Sequence, residues 1–193
     1  MTVVALSDTG VTLIVIAVAV LLPLIWFIAT YNVLVRLRQH CRESWSGIDT
    51  ELKRRYDLIP NLVATVQGYA KHEREVLERV IEARSRAAAS HGSPAQQAQD
   101  ENFLVQSLRG LFALAENYPD LKASENFLHL QRELANTEDR IQAARRFYNA
   151  NVRDLNTRTE VFPSNLVAGM FGFKKEEFFE VEPAVRETPK VAF

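Results

Sequence analysis

Histidine is the residue type in this chain that most readily binds metals or moves protons near neutral pH. The four histidines are spread over separate segments and lack the short spacing of metal ligands: His40, His72, His91 and His129. His72 and Glu73 begin the zinc-protease pattern H-E-x-x-H, but Val76 occupies the position of the second histidine. The sequence therefore predicts no metal site, and we expect His72 to be a solvated helix residue.

Other sequence patterns that carry chemistry are also missing. The chain has no G-x-x-x-x-G-K-[ST] or G-x-G-x-x-G loop for phosphates and no G-x-S-x-G turn for a nucleophilic serine. Acidic and basic residues alternate over residues 71–82, which predicts a solvated helix face with ion pairs four residues apart: Lys71, Glu73, Arg74, Glu75, Glu78, Arg79 and Glu82. We expect no catalytic, cofactor-binding or metal-binding residues, no small-molecule substrate, and a protein that is not an enzyme.

Cysteine content and charge narrow the class of protein. Cys41 is the single cysteine, which excludes a disulfide within the chain and a cysteine-rich zinc site. Cys41 could be lipidated beside a membrane, but a buried or idle thiol is the favoured interpretation. The 23 basic and 24 acidic residues nearly cancel, whereas nucleic-acid binding normally requires a basic excess. Seven glycines and seven prolines are few for a turn-rich β protein, so the composition favours helices.

An apolar segment near the N-terminus is long enough to cross a bilayer. Residues 11–29 carry no charge, and a hydrocarbon core of about 30 Å requires roughly 20 apolar residues in a helix. Pro23 predicts at most a kink in lipid, and Trp26 and Tyr31 lie near one end, where aromatic residues favour the interface. A cleaved signal peptide is disfavoured because residues 1–10 have no Lys or Arg and no small-x-small site follows the segment. A buried core helix is disfavoured because the remaining chain is too polar to enclose it.

Basic residues after this segment predict its orientation. Arg36, Arg38 and Arg42 follow it, whereas Asp8 is the only charged residue before it, so the positive-inside rule places the C-terminal part in the cytoplasm. We therefore predict a non-cytoplasmic N-terminus at residues 1–10 and a transmembrane helix at 11–30 in the bacterial inner membrane. A cytoplasmic helical domain at 31–180 and a flexible tail at 181–193 complete the prediction.

Helical periodicity dominates the domain. The first block covers residues 31–89, with an apolar stripe at Ile59, Leu62, Val63, Val66, Ala70, Leu77, Val80 and Ile81. Pro60 interrupts this block, and Asp57 could cap a restarted helix, but one long kinked helix is favoured over two separate ones. A polar loop is predicted at residues 89–102. A second helix follows it, with Leu104, Leu108, Leu111, Phe112 and Ala115, and ends at Tyr118-Pro119.

The third predicted helix has the clearest pattern. It starts after Ser124 and repeats apolar residues every seven positions, at Phe127, Leu134, Ile141, Tyr148 and Leu155. Leu130 and Ala144 occupy the other seam position, which Thr137 and Asn151 interrupt. Together these blocks predict an all-α fold, with three long helices in an elongated antiparallel bundle and a short irregular C-terminal segment.

Two further sets of apolar residues need a partner. Trp45, Ile48 and Leu52 form a strip that either pairs with a second copy of the chain or is covered by the third helix and the C-terminal segment. The C-terminal phenylalanines are expected to fold back onto the bundle: Phe171, Phe173, Phe178 and Phe179. A membrane-surface contact is the alternative, which nearby acidic residues disfavour.

Long stretches of the chain resemble the LemA family. Residues 31–73 carry YNVLVRLRQHCRESWSGIDTELKRRYDLIPNLVATVQGYAKHE, and later blocks read LFALAENYPDLKASENFLHLQRELANTEDRIQAARRFYNANVRDLNT and FPSNLVAGMFGF. Thr50 and Glu51 stand where the family often has valine and glutamine. The resemblance covers residues 31 to about 180 and implies a bacterial envelope protein with a membrane helix and a cytoplasmic helical bundle. It implies no enzymatic activity or cofactor, although some members are associated with membrane remodelling during magnetic-organelle formation.

The leading functional hypothesis is a membrane-anchored, non-enzymatic scaffold or adapter for protein partners, with residues 54–63 (RRYDLIPNLV) as its candidate docking surface. The alternatives are a homo-oligomeric protein that organises or remodels membrane and an accessory factor of a membrane protease or envelope stress system. The first alternative depends on self-association near Trp45 and Ile48.

Overall fold

The computed structural model describes residues 8–90 and 92–180, and within those ranges the chain is all-helical with no β-strand. The all-α prediction is therefore confirmed, together with one long apolar N-terminal helix. The helices in chain order are α1 (Asp8–Tyr69), α2 (Arg74–Ala89), α3 (Pro94–Ala115), α4 (Pro119–Lys122), α5 (Glu125–Glu160) and α6 (Ser164–Met170). Residues 1–7 of the predicted N-terminal segment 1–10 and the predicted tail at 181–193 lie outside the described ranges.

Contacts divide the chain into two compact units. Among the described residues, unit 1 contains residues 8–42 and 151–176, and unit 2 contains residues 43–90, 92–150 and 177–180. Helices α1 and α5 each contribute to both units.

The core of unit 2 includes most of the predicted apolar stripe. Ile59, Leu62 and Val66 of α1 are fully buried, as is Val80 of α2. Ile81 is 47% exposed, so its place on the stripe was predicted wrongly. The inner face of α2 is completed by two small residues instead, Ala83 and Ala87, because α2 packs directly against α3.

The break in the first helical block falls at residues 70–73. The structure keeps α1 helical through Pro60 and ends it at Tyr69, so the expectation of one helix as far as residue 89 is wrong. A proline has no N–H to donate to the carbonyl four residues earlier, which here belongs to Tyr56. Arg84 of α2 supplies the missing donor through its Nε, 2.8 Å from that carbonyl oxygen. This contact requires α2 to fold back along α1, and the break at residues 70–73 makes the reversal.

The loop prediction for residues 89–102 is wrong from Pro94 onward, because α3 begins there. Ser93 caps the helix, since its side chain accepts a hydrogen bond from the Gln96 N–H at 3.4 Å. Pro94 occupies the first turn, where the lack of an N–H costs nothing. The polar residues that suggested a loop therefore form the first turns of a buried helix.

The heptad pattern of α5 is confirmed. The helix begins directly after Ser124, and its five repeated apolar residues are all buried. Thr137, which interrupts the second seam position, is also fully buried. Its hydroxyl donates to the Glu133 carbonyl at 2.8 Å, so the polar group is satisfied within the helix.

The apolar strip of α1 is covered within unit 2. Ile48 and Leu52 are buried, and the Trp45 ring lies 5.2 Å from that of Tyr148 and 5.4 Å from that of Phe179. The covering elements are therefore α5 and the C-terminal segment, as one of the two alternatives predicted.

Asparagine side chains hold the extended residues after α6. In unit 2, the Asn149 amide accepts from the Phe179 N–H at 2.9 Å and donates to the Phe179 carbonyl at 3.1 Å. In unit 1, Asn156 makes the same two bonds with the backbone of Glu176, both at 2.9 Å. Phe179 and Phe173 are buried, which confirms that these phenylalanines fold back, whereas Phe171 and Phe178 remain partly exposed.

Candidate functional site

Glu101 of α3 is the centre of a buried polar network in unit 2. Its side chain is fully buried and accepts hydrogen bonds from the Arg55 guanidinium, the Tyr56 hydroxyl and the Gln97 amide, the last at 3.0 Å. The Gln97 amide also donates to the Ala87 carbonyl at 3.1 Å, which links the network to the last turn of α2. Donors from α1 and α3 therefore converge on one carboxylate, and Gln97 connects them to α2.

Arg55 balances the charge of this network. It is 3% exposed, and while one of its terminal nitrogens donates to Glu101, the other donates to Glu138 of α5 at 2.8 Å. Burial, followed by the Glu101 carboxylate, raises the pKa of Tyr56 above its usual value, so this hydroxyl stays protonated and donates. A carboxylate occupied by three internal donors is not available to a substrate, and the network is suited to holding helices together.

The predicted docking surface at residues 54–63 is wrong as a surface, because five of its ten residues, including most of its apolar ones, are buried. Arg55 and Tyr56 belong to the network, and Ile59, Leu62 and Val63 are buried. Arg54 is partly exposed but pairs with Glu133 at 2.9 Å. The pattern that suggested exposed apolar residues beside a basic pair is a helix face that faces inward.

An open groove of about 270 Å³ lies between α3 and α5 in unit 2, and we call it the α3–α5 groove. Its lining is mostly apolar, with charged side chains among the apolar ones: Arg55, Val105, Leu108, Arg109, Phe112, Gln131, Leu134, Ala135 and Glu138. Its volume is slightly below the roughly 300–1,000 Å³ of small-molecule sites. The groove is therefore of a size to hold one or two large side chains.

Two cationic groups along the groove have incomplete partners. Arg109 is exposed and makes no ion pair with any residue that the structure describes. The buried Nε of Arg55 has no hydrogen-bond partner, although both terminal nitrogens of the same side chain are bonded. The sequence analysis did not single out Gln97, Glu101 or Arg109. The spacing of Gln97, Glu101, Leu104 and Leu108 along one helix face was the pattern that could have indicated Gln97 and Glu101.

The other residues with candidate chemistry lie apart from the groove. No group of three or more His, Cys, Asp or Glu side chains is arranged to hold a metal ion within residues 8–90 and 92–180. His91 lies outside the described residues. His72 is exposed but lies in the turn between α1 and α2, so the expectation that it is a helix residue is wrong. Glu73 accepts a hydrogen bond from the Tyr118 hydroxyl at 3.1 Å. From Arg74 onward two exposed ion pairs confirm the solvated face of α2, Arg74–Glu78 at 3.5 Å and Arg79–Glu75 at 3.0 Å.

Cys41 is buried in unit 1, as the favoured interpretation predicts. Burial, and to a lesser extent the carboxylates of Glu176 and Asp154, raises the pKa of its thiol to about 11. At neutral pH the residue is therefore a protonated, shielded thiol, which is a poor nucleophile and a poor acceptor for a lipid.

One described helix, α1, has a segment that is long and apolar enough to cross a membrane, and none of that segment is buried. The exposed side chains include Leu13 at 68%, Val20 at 62% and Ile25 at 60%. A core helix of a soluble protein would bury such residues. The ring contact that the structure shows for this segment is at its end, where the Phe27 ring lies 5.8 Å from that of Phe171.

Comparisons with known proteins agree with the resemblance found in the sequence. The sequence profile of the LemA family matches residues 44–193. The chain is 27% identical to magnetosome protein MamQ 2 of Paramagnetospirillum magneticum, over 84% of this chain and 71% of the relative. It is 24% identical to magnetosome protein MamQ of Magnetospirillum gryphiswaldense over the same shares. Protein LemA of Metamycoplasma hominis is 29% identical over 74% of this chain and 65% of the relative.

Proposed function

We propose, because the chain belongs to the LemA family, that this protein is a non-enzymatic scaffold anchored to a membrane by α1, which presents unit 2 to partner proteins. The observation that carries the proposal is the composition of α1 itself. One uninterrupted helix contains the exposed apolar segment and, further along, buried core residues of unit 2 such as Ile48 and Ile59.

The anchor is proposed to span the membrane at residues 11–30. An exposed apolar segment of this length is stable in lipid and costly in water, which supports insertion. Continuity of α1 past this segment to Tyr69 disfavours a cleaved leader, because cleavage would cut a regular helix. Arg36, Arg38 and Arg42 support a cytoplasmic position for residues 31–180 and the bacterial inner membrane as the location, with residues 1–10 on the other side.

The α3–α5 groove is the proposed docking site, and its occupant is an amphipathic helix of a partner protein. The apolar lining suits one or two large apolar side chains, which is how helices dock in grooves. Arg109 has no ion pair among the described residues and suits a carboxylate on the same helix face. The expected partner segment therefore carries a large apolar residue with Asp or Glu one turn away.

A non-enzymatic role is supported by how the acidic and basic groups are used. Glu101 and Arg55 are buried in mutual hydrogen bonds, and the thiol of Cys41 is buried and protonated. The descriptions of the family and of its relatives above name no reaction.

Two substitutions in the groove test the proposal in the full-length protein. Ala135→Phe fills the groove from an exposed lining position, and Arg109→Glu reverses the charge at its rim. Arg146→Glu is the matched control, because Arg146 is an exposed arginine of α5 in unit 2 that does not line the groove. Crosslinked membranes from cells that express each variant are solubilised, and the proteins recovered with each are quantified.

The proposal expects a set of proteins that both groove variants lose several-fold and that the control retains. Sequencing of the crosslinked peptides should place the attachment on an amphipathic helix with an acidic residue. Recovery that is equal for the groove variants and the control would remove the groove from the proposal. Recovery of the protein in the soluble fraction after alkaline extraction would count against the anchor.

A second candidate function is a structural protein that organises membrane through self-association. It is favoured by the description of the relatives above as magnetosome proteins, which names a structure and not a reaction. The covered strip at Trp45 and Ile48 no longer supports it. The measured mass of the full-length protein in detergent decides: a dimer or larger assembly supports this function, and a strict monomer at high concentration argues against it.

A further inference from the structure

The outward face of α6 is apolar. Phe162, Leu166 and Met170 are spaced four residues apart, which places them on one side of the helix and the turn before it, and they are 74%, 58% and 72% exposed. The opposite face is buried and includes Val167 and Ala168. A helix on the surface of a soluble protein normally shows the reverse arrangement, with polar residues outward.

The C-terminal end of α6 lies beside the end of the apolar segment of α1, through Phe171, the residue that follows the helix. The Phe171 ring is 5.8 Å from that of Phe27 and 4.6 Å from that of Tyr31, and all three residues belong to unit 1. Phe27 falls within residues 11–29, and Tyr31 follows directly after them. The C-terminal end of α6 therefore lies at the level at which α1 would leave the hydrocarbon core.

The sequence around α6 carries no charge. Residues 161–173 contain no Asp, Glu, Lys or Arg, and the nearest charged residues are Glu160 and Lys174. Glu160 forms an ion pair with Lys175, so its charge is balanced by a residue on the far side of the segment. The acidic residues that disfavour a membrane contact begin only at Glu176. Repulsion by anionic lipid therefore does not apply to α6 itself.

We propose that the exposed apolar residues at α6 enter the surface of the same bilayer that α1 crosses, as a second contact with lipid. We call these residues the α6 patch: Val161, Phe162, Leu166, Met170 and Phe171. The inference rests on the proposed membrane anchor, because only an inserted α1 brings the patch to a bilayer. Apolar helix faces of this kind lie in the interfacial layer of membranes, where the gain comes from burying apolar area.

A lipid surface fits the patch better than a second copy or another protein. The patch adjoins the exposed apolar segment of α1 through Phe27 and Tyr31, so the lipid around that segment reaches it without any further partner. The patch also offers no charged group that would orient a protein partner, whereas protein interfaces use such groups for register.

Spin labels on the full-length protein in lipid nanodiscs test the inference. Cys41→Ala removes the single native cysteine, and one new cysteine at a time carries the label. Met170→Cys and Phe162→Cys report on the patch, and Val20→Cys reports on the apolar segment of α1. Phe147→Cys is the matched control, because Phe147 is an exposed apolar residue in unit 2 at 63% exposure. Collision rates are measured with oxygen, which concentrates in lipid, and with a water-soluble nickel chelate.

The inference expects the ratio of oxygen to nickel collisions at positions 162 and 170 to exceed that at position 147 several-fold. Lipid exposure at position 20 with water exposure at 162 and 170 would overturn the inference and leave the anchor standing. Protection of 162 and 170 from both reagents would also overturn it, because a second copy or another protein would then cover the patch. Water exposure at position 20 would overturn the proposed anchor and the inference with it.

Discussion

The Nε of Arg84 donates a hydrogen bond at 2.8 Å to the carbonyl oxygen of Tyr56, the carbonyl that Pro60 leaves without its helical donor. A proline inside a helix normally costs about 3 kcal/mol, partly because that carbonyl loses its partner. Here the side chain of Arg84 on α2 supplies a donor in place of the missing N–H. The same contact fixes where α2 lies along α1. The carbonyl that Pro60 leaves without its helical donor is therefore a point at which the two helices are bonded to each other.

The first prediction concerns this contact. Arg84→Met keeps the length of the side chain and removes the donor, and it should lower the free energy of unfolding by about 1.5–3 kcal/mol, the range for hydrogen bonds to charged groups. In a Pro60→Ala background the backbone N–H returns, so the same substitution should cost clearly less. Chemical unfolding of the four proteins of this double-mutant cycle in detergent, followed by circular dichroism, measures the difference. Equal costs in the two backgrounds would mean that Arg84 does not compensate for Pro60.

The second prediction concerns the buried pair of Arg55 and Glu101. Glu101→Leu leaves a buried guanidinium without its main partner and should lower the free energy of unfolding by about 3–5 kcal/mol. The double variant Arg55→Met with Glu101→Leu should recover most of that loss, because an apolar pair needs no counter-charge. Glu75→Leu serves as control, since its exposed ion pair with Arg79 should contribute less than about 1 kcal/mol. A double variant no more stable than Glu101→Leu would contradict the prediction.

The third prediction is a loss of stability at alkaline pH that depends on Tyr56. Burial and the Glu101 carboxylate raise the pKa of its hydroxyl, so the folded protein holds this proton more tightly than the unfolded chain does. The contribution of Tyr56 is therefore fully present below pH of about 10, the ordinary value for tyrosine, and is lost as the pH rises beyond it.

Above pH of about 10, the free energy of unfolding should fall by up to about 1.4 kcal/mol per pH unit because of this one hydroxyl. The free energy of unfolding of wild type and of Tyr56→Phe, measured from pH 8 to 11, gives the slope by subtraction. Tyr69→Phe is the control, because Tyr69 is 47% exposed at the end of α1. Parallel curves for wild type and Tyr56→Phe above pH 10 would show that the hydroxyl is not held in this way.

The fourth prediction concerns the hold on the C-terminal segment in unit 2. Asn149→Ala removes both hydrogen bonds to the backbone of Phe179 and should release residues 177–180 more often. Hydrogen exchange at the Phe179 amide should then accelerate at least several-fold, consistent with about 1–3 kcal/mol for the lost bonds. Asn126→Ala is the control, because Asn126 is an exposed asparagine near the start of the same helix. Unchanged exchange at Phe179 would mean that the packing of its ring, and not the amide, holds the segment.

Local sequence patterns predicted the parts of this fold that depend on a single helix. The apolar segment at residues 11–29 and the heptad of α5 each repeat a signal many times within one element, so one interruption such as Thr137 does not hide them. Patterns of this kind identify which face of a helix is buried. The general tendency of a free cysteine to be buried also favoured a buried or idle thiol at Cys41, and the residue is buried.

Features that depend on a distant residue were missed. Pro60 interrupts the helical pattern of the sequence, and its compensation depends on Arg84, which reaches the Tyr56 carbonyl only through the reversal at residues 70–73. Glu101 and Gln97 look like loop residues because they are polar and no residue near them in sequence neutralises Glu101. The counter-charge of Glu101 comes from Arg55 on another helix. The docking surface was misplaced for the same reason. Whether a basic pair next to apolar residues is exposed or buried depends on whether acidic residues of other helices pair with it, and the local sequence does not show this.

The ring contacts of Phe171 have a practical consequence for the preparation of soluble fragments. A fragment that starts at Arg36 lacks Phe27 and Tyr31, and it uncovers the aromatic faces that those residues shield. Such a fragment should self-associate and adsorb to column matrices through these newly exposed rings. Oligomers of a shortened protein would then arise from the truncation, so the size of the natural assembly has to be measured on the intact chain.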